Sequence, residues 1–319
     1  MGTAIIVHGD TDGICSAAIA LNKYPKASIW FSHPIGLLED IRKIKAERII
    51  ICDIAISERE KGELFEEFLN ISSYAELIYV DHHPLPLDTI AGDIPATQIV
   101  RDLTKSSSEL IYTYLGDASM KLVALFGAVS DYTSDTKFVK TTLDVYDQRT
   151  IYFEAGILSQ AIGAQGKQDY AFKRRLAQAL SRGVMPSSRP DVVRKAVEGA
   201  RKEWETEGFV RDNVDVIDGI GIVRDVPRGF SPTKAAKFAL GVTGRPLCIS
   251  TRVKKKTNVD VVARKLSTFS LDLNITMRTI APRFGGSGGG HPAAAGARIP
   301  QEFFGEFLEA LKKEVEAIP

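Results

Sequence analysis

The chain has 319 residues, 44% of them hydrophobic and 25% charged, the composition of an ordinary globular protein that at roughly 150 residues per domain divides into about two. Its 41 Lys+Arg against 40 Asp+Glu leave a formal net charge of +1, which excludes a protein that grips long duplexes by bulk charge and leaves room only for a local basic patch. No apolar run approaches the length of a membrane span, MGTAIIVHGDTDG has no secretory pattern, and Cys15, Cys52 and Cys248 lack C-x-x-C spacing; the reading is a cytoplasmic chain without disulfide framework or zinc knuckle.

In chain order, β-branched runs predict strands at Thr3–Val7, Ala27–Phe31, Arg48–Cys52 and Leu77–Val80. Amphipathic stretches around Ile14–Asn22, Leu37–Lys45 and Ser57–Leu69 separate them. That alternation is βαβ grammar and predicts an α/β fold with a parallel sheet. The runs IIV and III are apolar throughout, as expected of strands covered on both faces. Ser106-Ser107-Ser108-Glu109 fits a capping box opening a helix through Tyr114. An apolar helical run, Leu122–Val129, follows, and the pattern stays mostly helical from Asp147 to Arg182.

The turn-rich segment Met185–Pro190 suggests a boundary, and Asp191–Glu207 reads as a charged connector helix. This gives a first domain over 1–187, a connector helix over 188–210 and a smaller α/β domain over 211–319. In the latter we expect strands at Val214–Ile217, Ile220–Val223 and Leu247–Val253, and a helix at Ser231–Leu240. A helix around Val259–Leu266, a loop Gly285–Gly290, a strand near Ala295–Ile299 and a terminal helix Gln301–Ala317 complete it.

Acids and histidines stand immediately after the predicted strands, where an open parallel sheet presents its carboxyl edge and ligand sites form. His8-Gly9-Asp10-Thr11-Asp12-Gly13 follows the first strand, Asp53 the third, and Asp81-His82-His83 the fourth, while Asp131 closes the run at GAVSD. Each cluster alone has an ordinary reading as a capped turn, a helix cap or a hydrogen-bonded histidine pair. Together they bring like charges to one edge, an arrangement that costs several kcal/mol unless cations compensate. Oxygen and imidazole ligands without thiolate favour Mn²⁺ or Mg²⁺, with Zn²⁺, Fe²⁺ or Co²⁺ open by geometry. Bridging carboxylates favour two ions, and a pair roughly 3.5–4 Å apart suits phosphate-ester hydrolysis.

HGDTDG, Asp53, Asp81-His82-His83 and GAVSD are similar in order and spacing to the four motifs of the DHH phosphoesterase superfamily. Gly288-Gly289-Gly290-His291-Pro292-Ala293-Ala294-Ala295-Gly296 resembles the signature of its DHH-associated C-terminal domain. The chain looks most like the branch of nano-RNases (oligoribonucleases), adenosine-bisphosphate phosphatases and RecJ-like exonucleases, particularly small archaeal versions. The resemblance implies that His8 and Asp10 hold one ion, Asp12 and His82 the other, and that Asp53 and Asp131 are shared. Some branches carry a histidine where Ile6 stands here. Asp81 would orient an imidazole, His83 would face the substrate phosphate, and the active-site cleft would lie between the domains. Gly288, Gly289, Gly290 and His291 would bind the nucleotide end of the substrate, and Arg252 a phosphate. Lys254-Lys255-Lys256, Arg278 and Arg283 are secondary candidates. Tyr132 is assigned no role.

The resulting expectation is a phosphodiesterase with two divalent ions, Mn²⁺ first and Mg²⁺ or Co²⁺ as alternatives, that hydrolyses short single-stranded oligonucleotides, RNA first and DNA as the alternative, to mononucleotides. The competing readings are an adenosine 3',5'-bisphosphate phosphatase or other small-nucleotide phosphoesterase, an inorganic pyrophosphatase, and a catalytically silent nucleotide-binding partner module. A homodimer and a replication or repair partner are compatible with the sequence, and a membrane is not expected.

Overall fold

The β-branched runs at the start of the chain form strands that are buried on both faces. In the computed structural model, which describes residues 2–164, 169–254 and 257–318, the chain divides into two compact units, Met1–Gly199 and Ala200–Pro319. The first begins with β1 (Thr3–Val7), α1 (Thr11–Lys23), β2 (Ser28–Phe31), α2 (Leu37–Ile41), β3 (Arg48–Cys52), α3 (Lys61–Ser72) and β4 (Glu76–Asp81). It continues with β5 (Gln98–Arg101), α4 (Ser107–Leu115), α5 (Lys121–Ser130), α6 (Lys137–Leu143), α7 (Gln148–Ala164) and α8 (Tyr170–Leu180), and enters α9 (Pro190–Asn213), a continuous helix that runs into the second unit.

The sheet is parallel throughout, in the order β2-β1-β3-β4-β5. Side chains alternate across it. Ile5, Val7, Ile50, Cys52, Ile78 and Val80 pack with α1, α4, α5, α7 and α8 on one face. Ala4, Ile6, Ile49, Ile51, Leu77 and Tyr79 pack with α2 and α3 on the other. Each fully buried Ile, Leu or Val contributes about 1.5–3 kcal/mol of transfer free energy, which is why these runs are apolar end to end. Register then positions the site: Val7 pairs with Cys52, and Cys52 with Val80, so β1, β3 and β4 end level with one another. The strand order reverses between β1 and β3, the switch point at which open α/β sheets open a crevice. β5, a short half-buried strand, was not anticipated from the sequence.

The second unit holds β6 (Val214–Ile217), β7 (Ile220–Val223), α10 (Pro232–Thr243), β8 (Leu247–Lys254), β9 (Asn258–Lys265), α11 (Leu273–Ile280), β10 (Ser287–His291), β11 (Ala294–Pro300) and α12 (Phe304–Glu316). Its six strands run in the order β10-β11-β9-β8-β7-β6, with β7 and β8 parallel and the other pairs antiparallel. Two expectations are corrected here. Val259–Leu266 is not helical: Val259, Val261 and Ala263 are buried while Asp260, Val262 and Arg264 are not, a period of two. Of the expected loop only Gly285 and Gly286 stay outside a strand: Ser287–His291 form β10, paired along its length with β11. Among the described residues no helix is long and apolar enough to cross a membrane.

Candidate metal centre

β1 delivers the chain to His8, and Asp10 begins α1 as its N-cap, its Oδ1 accepting the Gly13 amide at 3.1 Å. Asp10 Oδ2 lies 2.7 Å from His8 Nδ1. The loop closes so tightly that a Cβ on Gly13 would stand 2.3 Å from the His8 carbonyl oxygen, so only glycine fits. Asp12, in the first turn of α1 and 2% exposed, accepts the Ser107 amide at 2.7 Å through Oδ2 and the Ser108 amide at 3.0 Å through Oδ1. These amides open α4, whose N-terminus is therefore turned onto an acid.

Asp53 leaves β3 with φ of 63°, a left-handed conformation that aspartate tolerates better than most residues, held by its amide on Val80 O at 3.0 Å. Its Oδ1 is 3.4 Å from His82 Nε2 and 3.4 Å from Ser107 Oγ. Its Oδ2 is buried and meets no hydrogen-bond donor. His82 Nδ1 lies 3.6 Å from Oδ2 of Asp131, the C-cap of α5. Ligand atoms of His8, Asp10 and Asp53 fall within 4.8 Å of one another; so do those of Asp12, His82 and Asp131, and those of Asp53, Asp81 and His83.

Asp81, fully buried, is occupied otherwise. Its Oδ1 meets His83 Nδ1 at 2.8 Å, and its Oδ2 accepts the His83 amide at 3.1 Å and Arg101 Nη1 at 2.8 Å. Arg101 also donates to the His83 carbonyl. The imidazole that Asp81 orients is thus that of His83, and any role of His83 toward a substrate falls to Nε2.

Charge crowding dominates the electrostatics. Burial, then Asp10 and Asp12, pushes the Asp53 carboxyl well above its usual range; burial, then Asp12 and Asp10, pushes Asp131 up to about 9. Asp12 is raised by burial against the opposing pull of His82. Burial, then His83, lowers His82. Desolvation also acts on Asp10 and Asp81, but His8 outweighs it at the first, and His83 and Arg101 at the second, holding both low. Burial keeps the Cys52 thiol protonated, so it offers no thiolate. Carboxylates that cannot all ionise together, and a buried acceptor facing no donor, fit divalent cations held by oxygen and imidazole.

In the second unit, Gly289 and Gly290 have φ of 153° and 147°, conformations open essentially to glycine. A Cβ on Gly288 would meet Met277 O at 2.7 Å, and one on Gly290 would meet Ala294 O at 2.6 Å. Asn274 Oδ1 accepts the Gly290 amide at 3.1 Å and Arg278 Nε at 2.9 Å, fixing the run that ends in His291. Arg252, expected at a phosphate, donates Nε to Val226 O and Nη2 to Pro227 O and Phe230 O, so the guanidinium also clamps the 226–230 loop to β8. Arg283 lines a surface hollow with Glu302, just before α12, and with Glu306, Glu309, Lys313 and Glu314 of α12, where carboxylates outnumber cations. Lys255 and Lys256 of the expected basic patch lie outside the described residues.

Sequence reasoning overlooked Ser107, Ser108 and Arg101. The serines were read only as a cap; there Ser106 Oγ does accept the Glu109 amide, but the Glu109 carboxylate turns to Thr136 Oγ1 at 2.8 Å instead of closing the box.

Residues 233–317 match the DHHA1 domain. No curated protein sequence matches the chain. Among solved structures it is similar to the pGpG-specific phosphodiesterase PggH from Vibrio cholerae, at 16% identity and TM-score 0.60 over 100% of both chains. It is similar to the DHH domain of a member of the s1p family of ribosomal proteins (15%, TM-score 0.67, 99% of this chain and 87% of that one). It is also similar to an exonuclease RecJ bound to manganese (16%, TM-score 0.62, 99% and 90%). At such identities the shared property is the fold.

Proposed function

We propose that this chain, whose residues 233–317 match the DHHA1 domain and whose fold is similar to those of PggH and RecJ, is a DHH-superfamily protein with the activity of a metal-dependent phosphodiesterase that hydrolyses short single-stranded oligonucleotides to mononucleotides. The observation that carries the proposal is the convergence of four separate segments, at residues 8–12, 53, 81–83 and 131, on clusters whose ligand atoms lie within 4.8 Å. His8, Asp10 and Asp53 would hold one divalent ion and Asp12, His82 and Asp131 a second, with Asp53 and Asp131 the candidates for sharing. Bound there, such ions would supply charge neutralisation of the phosphate and a water acidified enough to attack it. Manganese is the first choice, since oxygen and imidazole donors suit it and a RecJ of this fold binds it.

The protein's own groups divide the remaining work. The α4 amides hold Asp12 in one orientation, and Arg101 and Asp81 hold His83, so that its Nε2 is left to meet a phosphate oxygen. In the DHHA1 domain, the Gly288–Gly290 backbone and His291 would receive the nucleotide end of the substrate, because glycine allows close approach. A net charge of +1 favours substrates with few phosphates over long polymers.

The test is an assay with Mn²⁺ over labelled ribo- and deoxyribo-oligonucleotides of graded length with either end blocked, alongside adenosine 3',5'-bisphosphate. Turnover concentrated on two- to five-residue substrates, abolished by EDTA and by Asp131→Asn, is the expected result. Turnover of the bisphosphate alone would transfer the assignment to a nucleotide phosphatase, and an inert protein that still binds nucleotide would overturn catalysis altogether.

A further inference from the structure

α5 ends in a turn whose geometry calls for glycine. Tyr132 donates its amide to Val129 O at 3.3 Å and Thr133 donates to Ala128 O at 3.0 Å, the paired hydrogen bonds of a Schellman cap, with Tyr132 at the left-handed position (φ 61°). After α4 and α10 the equivalent left-handed residue is Gly116 (φ 70°) and Gly244 (φ 65°). A bulky side chain at this position strains the backbone, and packing does not repay the strain, for Tyr132 is 81% exposed. Among the described residues the ring has no aromatic or cationic partner and the hydroxyl no hydrogen bond. A large aromatic is thus held in water, in a conformation it disfavours, one residue and about 3.8 Å of backbone beyond Asp131, whose carboxylate joins the Asp12–His82 cluster.

We propose that Tyr132 is a substrate-binding residue, a stacking platform for the nucleobase adjoining the phosphate that is cleaved. The inference rests on the phosphodiesterase reading and deepens it. The chemistry fits: an exposed ring presents a π-face to any base, so stacking adds affinity without selecting sequence. It accounts for the strain as well, since side chains kept in disfavoured conformations gather where ligands bind.

The experiment compares the wild type with Tyr132→Gly, Tyr132→Phe and Tyr132→Trp, each with Mn²⁺, on a dinucleotide and on the same dinucleotide made abasic at one or the other residue. In Tyr132→Gly, KM for the dinucleotide is expected to rise about tenfold or more, the loss of one base–aromatic stack, with kcat within about twofold of the wild type. Tyr132→Phe and Tyr132→Trp should keep the wild-type KM. On one abasic substrate the difference between wild type and Tyr132→Gly should vanish. Thermal unfolding should move the other way, with Tm of Tyr132→Gly raised by about 2–4 °C as the strain is relieved. An active Tyr132→Gly enzyme with unchanged KM, or an equal KM rise on both abasic substrates, overturns the stacking role and leaves the phosphodiesterase reading intact. A fall in Tm overturns it too, by showing that the ring packs. A wild type inert on every nucleotide substrate overturns both.

Discussion

The carboxylate of Asp12 accepts the backbone amide of Ser107 at 2.7 Å, across 95 residues of chain. An acid in the first turn of one helix thereby caps the N-terminus of another, where exposed amides and the helix dipole favour negative charge. The contact leaves no room beside it. A Cβ on Gly127, in α5, would lie 2.2 Å from Ser108 Oγ and 2.8 Å from Asp12 Oδ1. Ser108 Oγ cannot easily retreat, since it also bonds Ala124 O at 3.1 Å and Ser106 Oγ at 2.9 Å. In an open helix, Gly→Ala is favourable by about 1 kcal/mol. Here the clash should win, and Gly127→Ala is expected to lose about 1–3 kcal/mol in urea unfolding. Gly156→Ala in α7, where nothing lies within 4 Å of the added Cβ, is the control and should be neutral or stabilising. Equal stability of the two variants would mean that α5 yields more readily than its packing suggests.

Arg101 and Asp81 form an ion pair at 2.8 Å with side-chain exposures of 8% and 0%. Removing one member of such a pair leaves a buried charge without compensation, at a cost of about 3–5 kcal/mol. Arg101→Met should therefore be among the most destabilising single changes in the first unit. The double variant Arg101→Met/Asp81→Asn should recover a large part of the loss, because the stranded charge is gone. Equilibrium denaturation of the two proteins, measured in EDTA to keep metal out of the comparison, decides the matter; no recovery in the double variant would locate the arginine's contribution in its bond to the His83 carbonyl.

Asp53 lies 3% exposed among Asp10, Asp12 and Asp131, and its buried Oδ2 faces no donor. In the metal-free protein Asp53→Asn removes a source of repulsion, and asparagine tolerates the left-handed backbone. Its Tm in EDTA should equal or exceed that of the wild type. With Mn²⁺ the order should reverse: a ligand at 100 times its Kd stabilises by about 2.7 kcal/mol, and the variant should forgo most of that gain. Parallel melting curves with and without Mn²⁺ for both proteins test this, and a variant that still gains as much as the wild type would exclude Asp53 from the metal set.

How much of this was legible in the sequence follows from the range of each interaction. β1, β3 and β4 are continuous apolar runs, and the acids directly after them lie at the sheet edge because strand ends fix their place. Partners outside that logic were not legible. Ser107 and Ser108 act on Asp12 through backbone amides, which carry no residue signature, and Arg101 stands on a four-residue strand too weak to register. Val259–Leu266 was misread because adjacent valines satisfy a helical and an alternating pattern alike, and only pairing with β8 and β11 selects the strand. The glycine run lacked any β-forming side chain; what makes it a strand is the Asn274 bond and the ladder to β11.

Asp131 gives the metal-free protein a distinctive pH response. Burial, then Asp12 and Asp10, lifts its carboxyl from 3.8 to about 9, so between those values the folded chain holds a proton that the unfolded chain has released. Stability then has a negative slope with pH: the contribution is complete below pH ~4 and is lost progressively as pH rises through about 9. Asp131→Asn cannot ionise and should flatten that slope. Urea midpoints between pH 5 and 9.5 in EDTA should converge for the two proteins at the acid end and separate at the alkaline end, with the variant more stable. Added Mn²⁺ should erase the separation or invert it, because a bound cation favours the ionised carboxylate that the empty cluster resists. Curves that stay parallel across the range in EDTA would show that Asp131 ionises freely and is not part of the crowded acid cluster.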